Sequence, residues 1–472
     1  MLALNPILRL GVMIAALLIG LSALSWAFPY DVNLSQAPLG LYIGLAALAA
    51  ALWMWLPGKL KSAPATQNTL IWIFLIGLIA RGAMFFSTPV LEDDSYRYLW
   101  DGAVTANAID PYKYAPSDVT ALPLFETDAA EPKPDEIATL EKLASEHPDV
   151  HSRINYPYVA TIYPPITQAV FAAAHWIAPF NLNGWRAVLL GFDILAFGLL
   201  VKLLRAYNRK AEWSALYWWN PIVILQGFGA GHMDILVVPF LLATLLFAKQ
   251  ERFTWATLAL AGAVGVKLWP ALLFPFVLRP LLNQPVRFLG LGLLFTLACL
   301  ALLAPQLVHA FNPDAGLNAY ASEWRTHAFL FSILEDGVFR AAENAGSLAR
   351  IAVAILVSGT VLYLAFRFAD STQRLPELFA ISIATLLFLS PTGYPWYLIW
   401  IAPVLPFFPH PGLTTLTLFA PLYWLRFRLG DEALLHQWVI VPIAFGVPLA
   451  LIAHSIFRKD QTYEIRHHYS RA

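Results

Sequence analysis

The chain has 472 residues, 59% of them hydrophobic and 13% charged, with a mean hydropathy of +0.61, which excludes a soluble globular protein. Thirty basic residues balance thirty acidic ones, so nothing points to a nucleic-acid partner, and the single Cys299 excludes an intrachain disulfide framework. Apolar runs of about 17–25 residues recur along almost the whole sequence, which excludes a barrel of short alternating strands; the expected fold is an all-α polytopic membrane bundle forming one domain over 1–472.

The first run, about residues 8–28, is long for the apolar core of a signal peptide and is read as a retained helix. With the next run it makes two N-terminal spans within 1–66, and a third leads into Glu92-Asp93-Asp94-Ser95-Tyr96-Arg97-Tyr98-Leu99-Trp100-Asp101-Gly102. Short basic loops mark the cytoplasmic side. Lys59 and Lys61, then Lys202, Arg205, Arg209 and Lys210, then Lys249 and Arg252, Arg279 and Arg287, Arg367 and Arg374, and a tail with Arg458, Lys459 and Arg466 give one consistent threading with both termini inside. That threading places a first large loop, 91–160, and a second segment, 306–346, outside. The polar part of the first loop, 117–151, carries Glu126, Asp128, Glu131, Glu136, Glu141 and Glu146 and reads as solvated, with a short helix.

The same threading denies residues 162–180 a full crossing. Opened by Tyr163-Pro164-Pro165, this run is expected to lie in the outer interface as an amphipathic juxtamembrane helix. Residues 254–267 and 269–283, separated by Lys267-Leu268-Trp269-Pro270, read as a hairpin with an outward tip, the kind of interruption from which membrane proteins build sites. The total comes to about 14 crossings.

Three consecutive acids where a helix leaves the bilayer are costly unless a cation, a donor network or a substrate compensates them. Asp93 and Asp94 are the candidate catalytic groups, because a hydroxyl is a poor nucleophile and an adjacent carboxylate can take its proton as the bond forms; Glu92 joins them as a candidate binding group. Helical spacing would align Arg97 with Asp93, Asp94 and Asp101, where its guanidinium could hold an acid or grip a phosphate. The rings of Tyr96, Tyr112 and Tyr163 either stack on a sugar or anchor the interface. His232 and Asp234, just after Gly227, Gly229 and Gly231, either cap a span or reach the site. Lys267 lies in apolar sequence, where an ammonium either snorkels or meets an anion; a lipid phosphate fits that role. Trp324, Arg325, Tyr394, Trp396 and Tyr397 are candidates to wall the same cavity, or belong to an aromatic belt.

The order of the acidic pair, Tyr96-Arg97-Tyr98-Leu99-Trp100-Asp101-Gly102, Asp110-Pro111-Tyr112 and Tyr163-Pro164-Pro165 resembles the GT-C superfamily of integral-membrane glycosyltransferases. Within it the polyprenyl-phosphate-mannose-dependent mannosyltransferases are most similar, over about residues 70–400. The resemblance implies transfer of a hexose, mannose first, from a polyprenyl-phosphate-sugar donor to a lipid- or glycan-linked acceptor on the extracytoplasmic face, usually with inversion. It also implies Asp93 or Asp94 as the essential acid, Lys267 near the donor phosphate, and neither metal nor cofactor beyond the donor. A bacterial inner-membrane location among membrane lipids is expected. Two spans precede the one that delivers the acidic cluster, a departure from many relatives, which have one span in total before that loop. The competing class, a secondary transporter or lipid-linked-sugar flippase, predicts internal repeats and ionisable groups near mid-bilayer; no repeat is visible, and the unusual polar groups gather on one face.

Overall fold

The computed structural model describes residues 5–62, 66–119, 133–310, 316–430 and 433–456. Arg458, Lys459 and Arg466 of the basic tail, and Glu126, Asp128 and Glu131 of the polar loop, lie outside the described residues.

Helix starts follow local chemistry. In α1 (Pro6–Leu24) the Asn5 side chain accepts from the Ile7 amide at 3.0 Å, and Pro6 occupies a first-turn position that needs no amide donor. Helix α2 (Leu39–Trp53) follows, and Thr66 caps α3 (Gln67–Met84) by accepting from the Thr69 amide. The acidic cluster then opens α4 (Asp94–Ala106), and α5 (Pro134–Glu146) lies in the polar segment. Helix α6 (Pro165–Ile177) begins where the paired prolines predict; its 13 residues, about 20 Å, are too few to cross the bilayer. Asn181 caps α7 (Leu182–Ala206) through the Gly184 amide.

Next comes a broken segment. A π-helical turn at Leu225–Gly229 gives way, through Gly231 at φ 78°, to a 3-10 turn at Met233–Leu236 and then α8 (Val237–Lys249), with a bend of 113° between the two halves. A positive φ of that size suits glycine alone among common residues. Helix α9 (Phe253–Val266) stops because Lys267 is extended, at φ −155° and ψ 139°, before Trp269-Pro270 starts the returning pieces Trp269–Leu273 and Phe274–Leu278.

Seven helices among the described residues are long and apolar enough to cross about 30 Å of hydrocarbon, and the bent pair makes an eighth if it counts as one span. Three shorter apolar helices accompany them. The apolar runs that suggested about 14 crossings therefore correspond to fewer unbroken helices. Residues 211–229 are interrupted at Asn220-Pro221, and Pro395, Pro411 and Pro421 divide 395–429 into short pieces, since a proline ring clashes with the preceding helical turn. Helix α10 (Pro285–Leu307) rests on α9 and stacks Phe295 on Phe274 with ring centroids 3.8 Å apart, yet leaves Leu289, Leu293, Leu297 and Leu300 exposed.

Three packing features hold the frame. Gly102 of α4 sits so close to α6 that a Cβ there would stand 2.6 Å from the Phe171 carbonyl oxygen, so the two short helices form one plate. Trp100, Val104, Ile109, Val119, Leu140, Ala144 and Ile154 make a second, smaller apolar core beneath α5. Inside the bundle, Arg81 of α3 pairs with Asp193 near the midpoint of α7 at 2.6 Å, both side chains fully buried. Arg81 also donates to the carbonyls of Gly77 and Trp218, lies 3.5 Å over the Trp218 ring, and Tyr217 donates to the other Asp193 oxygen.

Candidate functional site

The acidic turn is shaped by Leu91, which adopts φ 56°, a conformation that costs a side-chain-bearing residue on the order of 1 kcal/mol or more. The turn delivers Glu92 and Asp93 just ahead of α4 and Asp94 into its first turn, where the helix dipole favours a carboxylate. Asp94 Oδ1 accepts from the Asn155 amide at 2.6 Å, and Oδ2 lies 3.4 Å from the Tyr98 hydroxyl and 3.7 Å from His232 Nδ1. Burial raises the Asp94 carboxyl above the usual range, opposed by the Asn155 hydrogen bond and the Lys267 charge. Asp93 turns toward Arg153, 3.6 Å away, and burial raises it while that guanidinium pulls it down.

The hairpin tip reaches the same place from the other side. Lys267 Nζ lies 2.5 Å from Asp234 Oδ1, and the Trp400 indole donates to the same oxygen at 2.5 Å. The ammonium sits 4.8 Å from the Tyr397 ring centre and 4.9 Å from that of Trp400, which in turn stacks on Trp269. Lys267 is thus neither bare nor snorkelling: a carboxylate and two aromatic faces fix it in place.

A cavity of about 560 Å³ joins the two halves. Glu92, Asp93, Asp94, Arg97 and Tyr163 line it from one side, and Asp234, Lys267, Trp324, Tyr394, Trp396 and Tyr397 from the other. Five residues singled out in the sequence do not line it. Tyr96 lies under the Arg153 guanidinium, 4.0 Å away; Tyr112 donates to the Tyr163 carbonyl; His232 is buried behind the wall, stacked on Trp396. Arg325 turns away to Glu335 and Asp336, so it does not wall the cavity. Asp101 accepts from Arg97 at 2.8 Å, Thr161 at 2.5 Å and Gln168 at 3.2 Å. Of the three acids that helical spacing offered Arg97, only Asp101 takes it, and Arg97 spends another donor on the Val159 carbonyl.

Other lining residues escaped sequence reasoning, apart from Tyr98, which the acidic motif includes without a role of its own. Asn155 and Tyr98 hold Asp94, Trp400 holds Asp234, and Arg426 presents a second cation, bonded to Thr326 Oγ1 at 2.7 Å and the Tyr423 hydroxyl at 3.0 Å. Among the described residues Arg426 has no carboxylate partner. The signal available for it was two arginines in Leu425-Arg426-Phe427-Arg428-Leu429, inside otherwise apolar sequence. Among the described residues no group of three or more His, Cys, Asp or Glu side chains is arranged to hold a metal ion.

Residues 156–282 match the model of the MptA_B family, described as alpha-(1->6)-mannopyranosyltransferase, N-terminal domain. That stretch includes Tyr163, His232, Asp234 and Lys267. Over 444 residues, 89% of this chain and 77% of the relative, the chain is 23% identical to alpha-(1->6)-mannopyranosyltransferase A of Mycobacterium tuberculosis. No solved structure gives a match. Together with the apolar helices, these likenesses support an integral-membrane glycosyltransferase of the GT-C mannosyltransferase kind.

Proposed function

We propose that the protein transfers mannose from a polyprenyl-phosphate donor to a lipid- or glycan-linked acceptor on the extracytoplasmic face of a bacterial inner membrane. The observation that carries this reading is that Asp94 and the Lys267–Asp234 pair line one cavity, of a size for a sugar and its phosphate. Asp94 takes the acceptor hydroxyl proton as the acceptor oxygen bonds to the anomeric carbon and the bond from that carbon to the phosphate oxygen breaks. Attack from the face opposite the phosphate inverts the centre. Asp234 and Trp400 hold the Lys267 ammonium, and Thr326 and Tyr423 hold Arg426, so that both cations stabilise charge on the departing phosphate. Asp93, paired to Arg153, orients the acceptor. The aromatic wall of Tyr394, Trp396 and Tyr397 supplies faces for the sugar ring.

The deciding experiment offers radiolabelled polyprenyl-phosphate-mannose and crude envelope glycolipid to the purified full chain in liposomes. Mannosylated product supports the reading. Movement of the donor across the bilayer with no product would replace it with the transporter class. Within the same assay, Lys267→Met is expected to raise the donor KM by about tenfold or more, the scale of one lost charge-assisted contact of about 1.5–3 kcal/mol. An unchanged donor KM would remove Lys267 from the phosphate seat.

A further inference from the structure

Between the acidic turn and the broken span lies a line of polar groups that bond-making itself does not use. The Tyr98 hydroxyl stands 3.4 Å from Asp94 Oδ2 and 3.3 Å from His232 Nδ1. Across the imidazole, His232 Nε2 stands 4.0 Å from Glu92 Oε2, about 1 Å beyond hydrogen-bond length. His232 is fully buried and Glu92 is 8% exposed, and among the described residues neither His232 Nε2 nor Glu92 Oε1 has a hydrogen-bond partner. The ring is fixed by stacking on Trp396, with centroids 3.9 Å apart, and by its backbone amide, which donates to the Gln226 carbonyl. Behind Glu92 is a polar pocket of about 10 Å³ among Ser22, Ser25, Tyr42, Ser87 and Gln226. Part of its wall comes from α1 and α2.

Two carboxylates on either side of one imidazole, Glu92 buried and Asp94 partly so, do not both carry charge at small cost. They are unequally served. Asp94 receives Asn155 and Tyr98 as donors and feels Lys267, whereas Glu92 receives no donor among the described residues and feels Asp94 and Asp93. Burial first, and those two neighbours next, push the Glu92 carboxyl well above the usual range, with Arg426 opposing in part.

We propose that Glu92 is a protonated positioning acid: its hydrogen points to His232 Nε2, His232 Nδ1–H donates to the Tyr98 oxygen, and Tyr98 donates to Asp94, so every donor is aimed at the base. The chain passes no proton. It polarises toward Asp94 and keeps that carboxylate ionised and oriented. The inference rests on the reading of Asp94 as base. The other charged or titratable groups that face the chain are Tyr163 from the turn before α6, which packs edge-on against Tyr98, Tyr42 from α2, Tyr156 and Tyr394 beside Asp94, Tyr423 and Arg426 from the Pro421-containing segment, Asp93 with Arg153, and Lys267 with Asp234.

The test is the pH profile of kcat/KM for the full chain in liposomes with polyprenyl-phosphate-mannose, whose acid limb reports Asp94 ionisation. Glu92→Gln keeps a donor toward His232 and is expected to leave the limb within about 0.3 pH unit of its wild-type position, whereas Glu92→Leu and Tyr98→Phe break the chain and move it up by about one unit, a tenfold loss on that limb. A limb that moves down in Glu92→Gln would mean that an ionised neighbour had been removed, and overturns the proposal; so does a limb unmoved in both Glu92→Leu and Tyr98→Phe. Infrared difference spectra of the resting protein at about pH 7, well above an ordinary glutamate pKa, give an arm that needs no turnover. A carboxylic-acid carbonyl band present in the wild type and missing in Glu92→Gln supports the proposal, and its presence in both or absence from both overturns it. That arm separates failure of this inference from failure of the transferase reading.

Discussion

Asp94→Asn is expected to lower kcat by about 10²–10⁴-fold, the usual contribution of a positioned general base, while the donor KM moves little. The amide keeps the shape of the carboxylate and can still meet Tyr98 and Asn155, so folding and donor binding survive while proton acceptance does not. Asp93→Asn should cost far less, because Asp93 turns to Arg153 and is the less buried of the two. Initial rates of mannose transfer in liposomes distinguish them. If Asp94→Asn keeps a third or more of wild-type turnover, roughly 0.7 kcal/mol or less of lost stabilisation, Asp94 is not the base. The sign of the pH dependence follows from the same environment: burial raises the Asp94 carboxyl, so activity is present above that raised value and is lost as pH falls through it.

Arg81→Leu is the substitution expected to harm folding most. It leaves Asp193 fully buried with Tyr217 as its one remaining donor among the described residues, and breaking a buried pair from one side typically costs about 3–5 kcal/mol. The orphaned carboxylate, rather than the lost attraction, supplies most of that cost. The double substitution Arg81→Leu with Asp193→Leu should therefore be more stable than Arg81→Leu alone. Melting of the purified protein in detergent reads both. Equal Tm for wild type and Arg81→Leu would show that the charge is compensated elsewhere.

Sequence reasoning reached the features that local covalent chemistry dictates. Paired prolines at 164–165 announce the start of α6 and Pro270 announces the returning half of the hairpin, whereas the 113° bend through Gly231, where the sequence reads only the entrance to a span, is legible in the structure alone. It also found both sides of the cavity, since acids and a lysine in apolar sequence are conspicuous wherever they fall. Choices among partners were not legible. Spacing offered Arg97 three acids, and the decision for Asp101 comes from Thr161 and Gln168, sixty or more residues away. Lys267 meets Asp234 and Trp400, Asp94 meets Asn155, and Arg426 joins the wall, all through tertiary approach that no local pattern encodes. The apolar runs overstated the number of full-length helices for a related reason: hydropathy registers oil-soluble residues but not the prolines and the asparagine that split them.

The leucine-lined flank of α10 has a mechanical consequence. One side of that rod grips the hairpin through the Phe274–Phe295 stack while the leucine side faces outward, which gives bilayer thickness a route to the segment that carries Lys267. Reconstitution in phosphatidylcholines of graded chain length is then expected to change donor KM before it changes Tm.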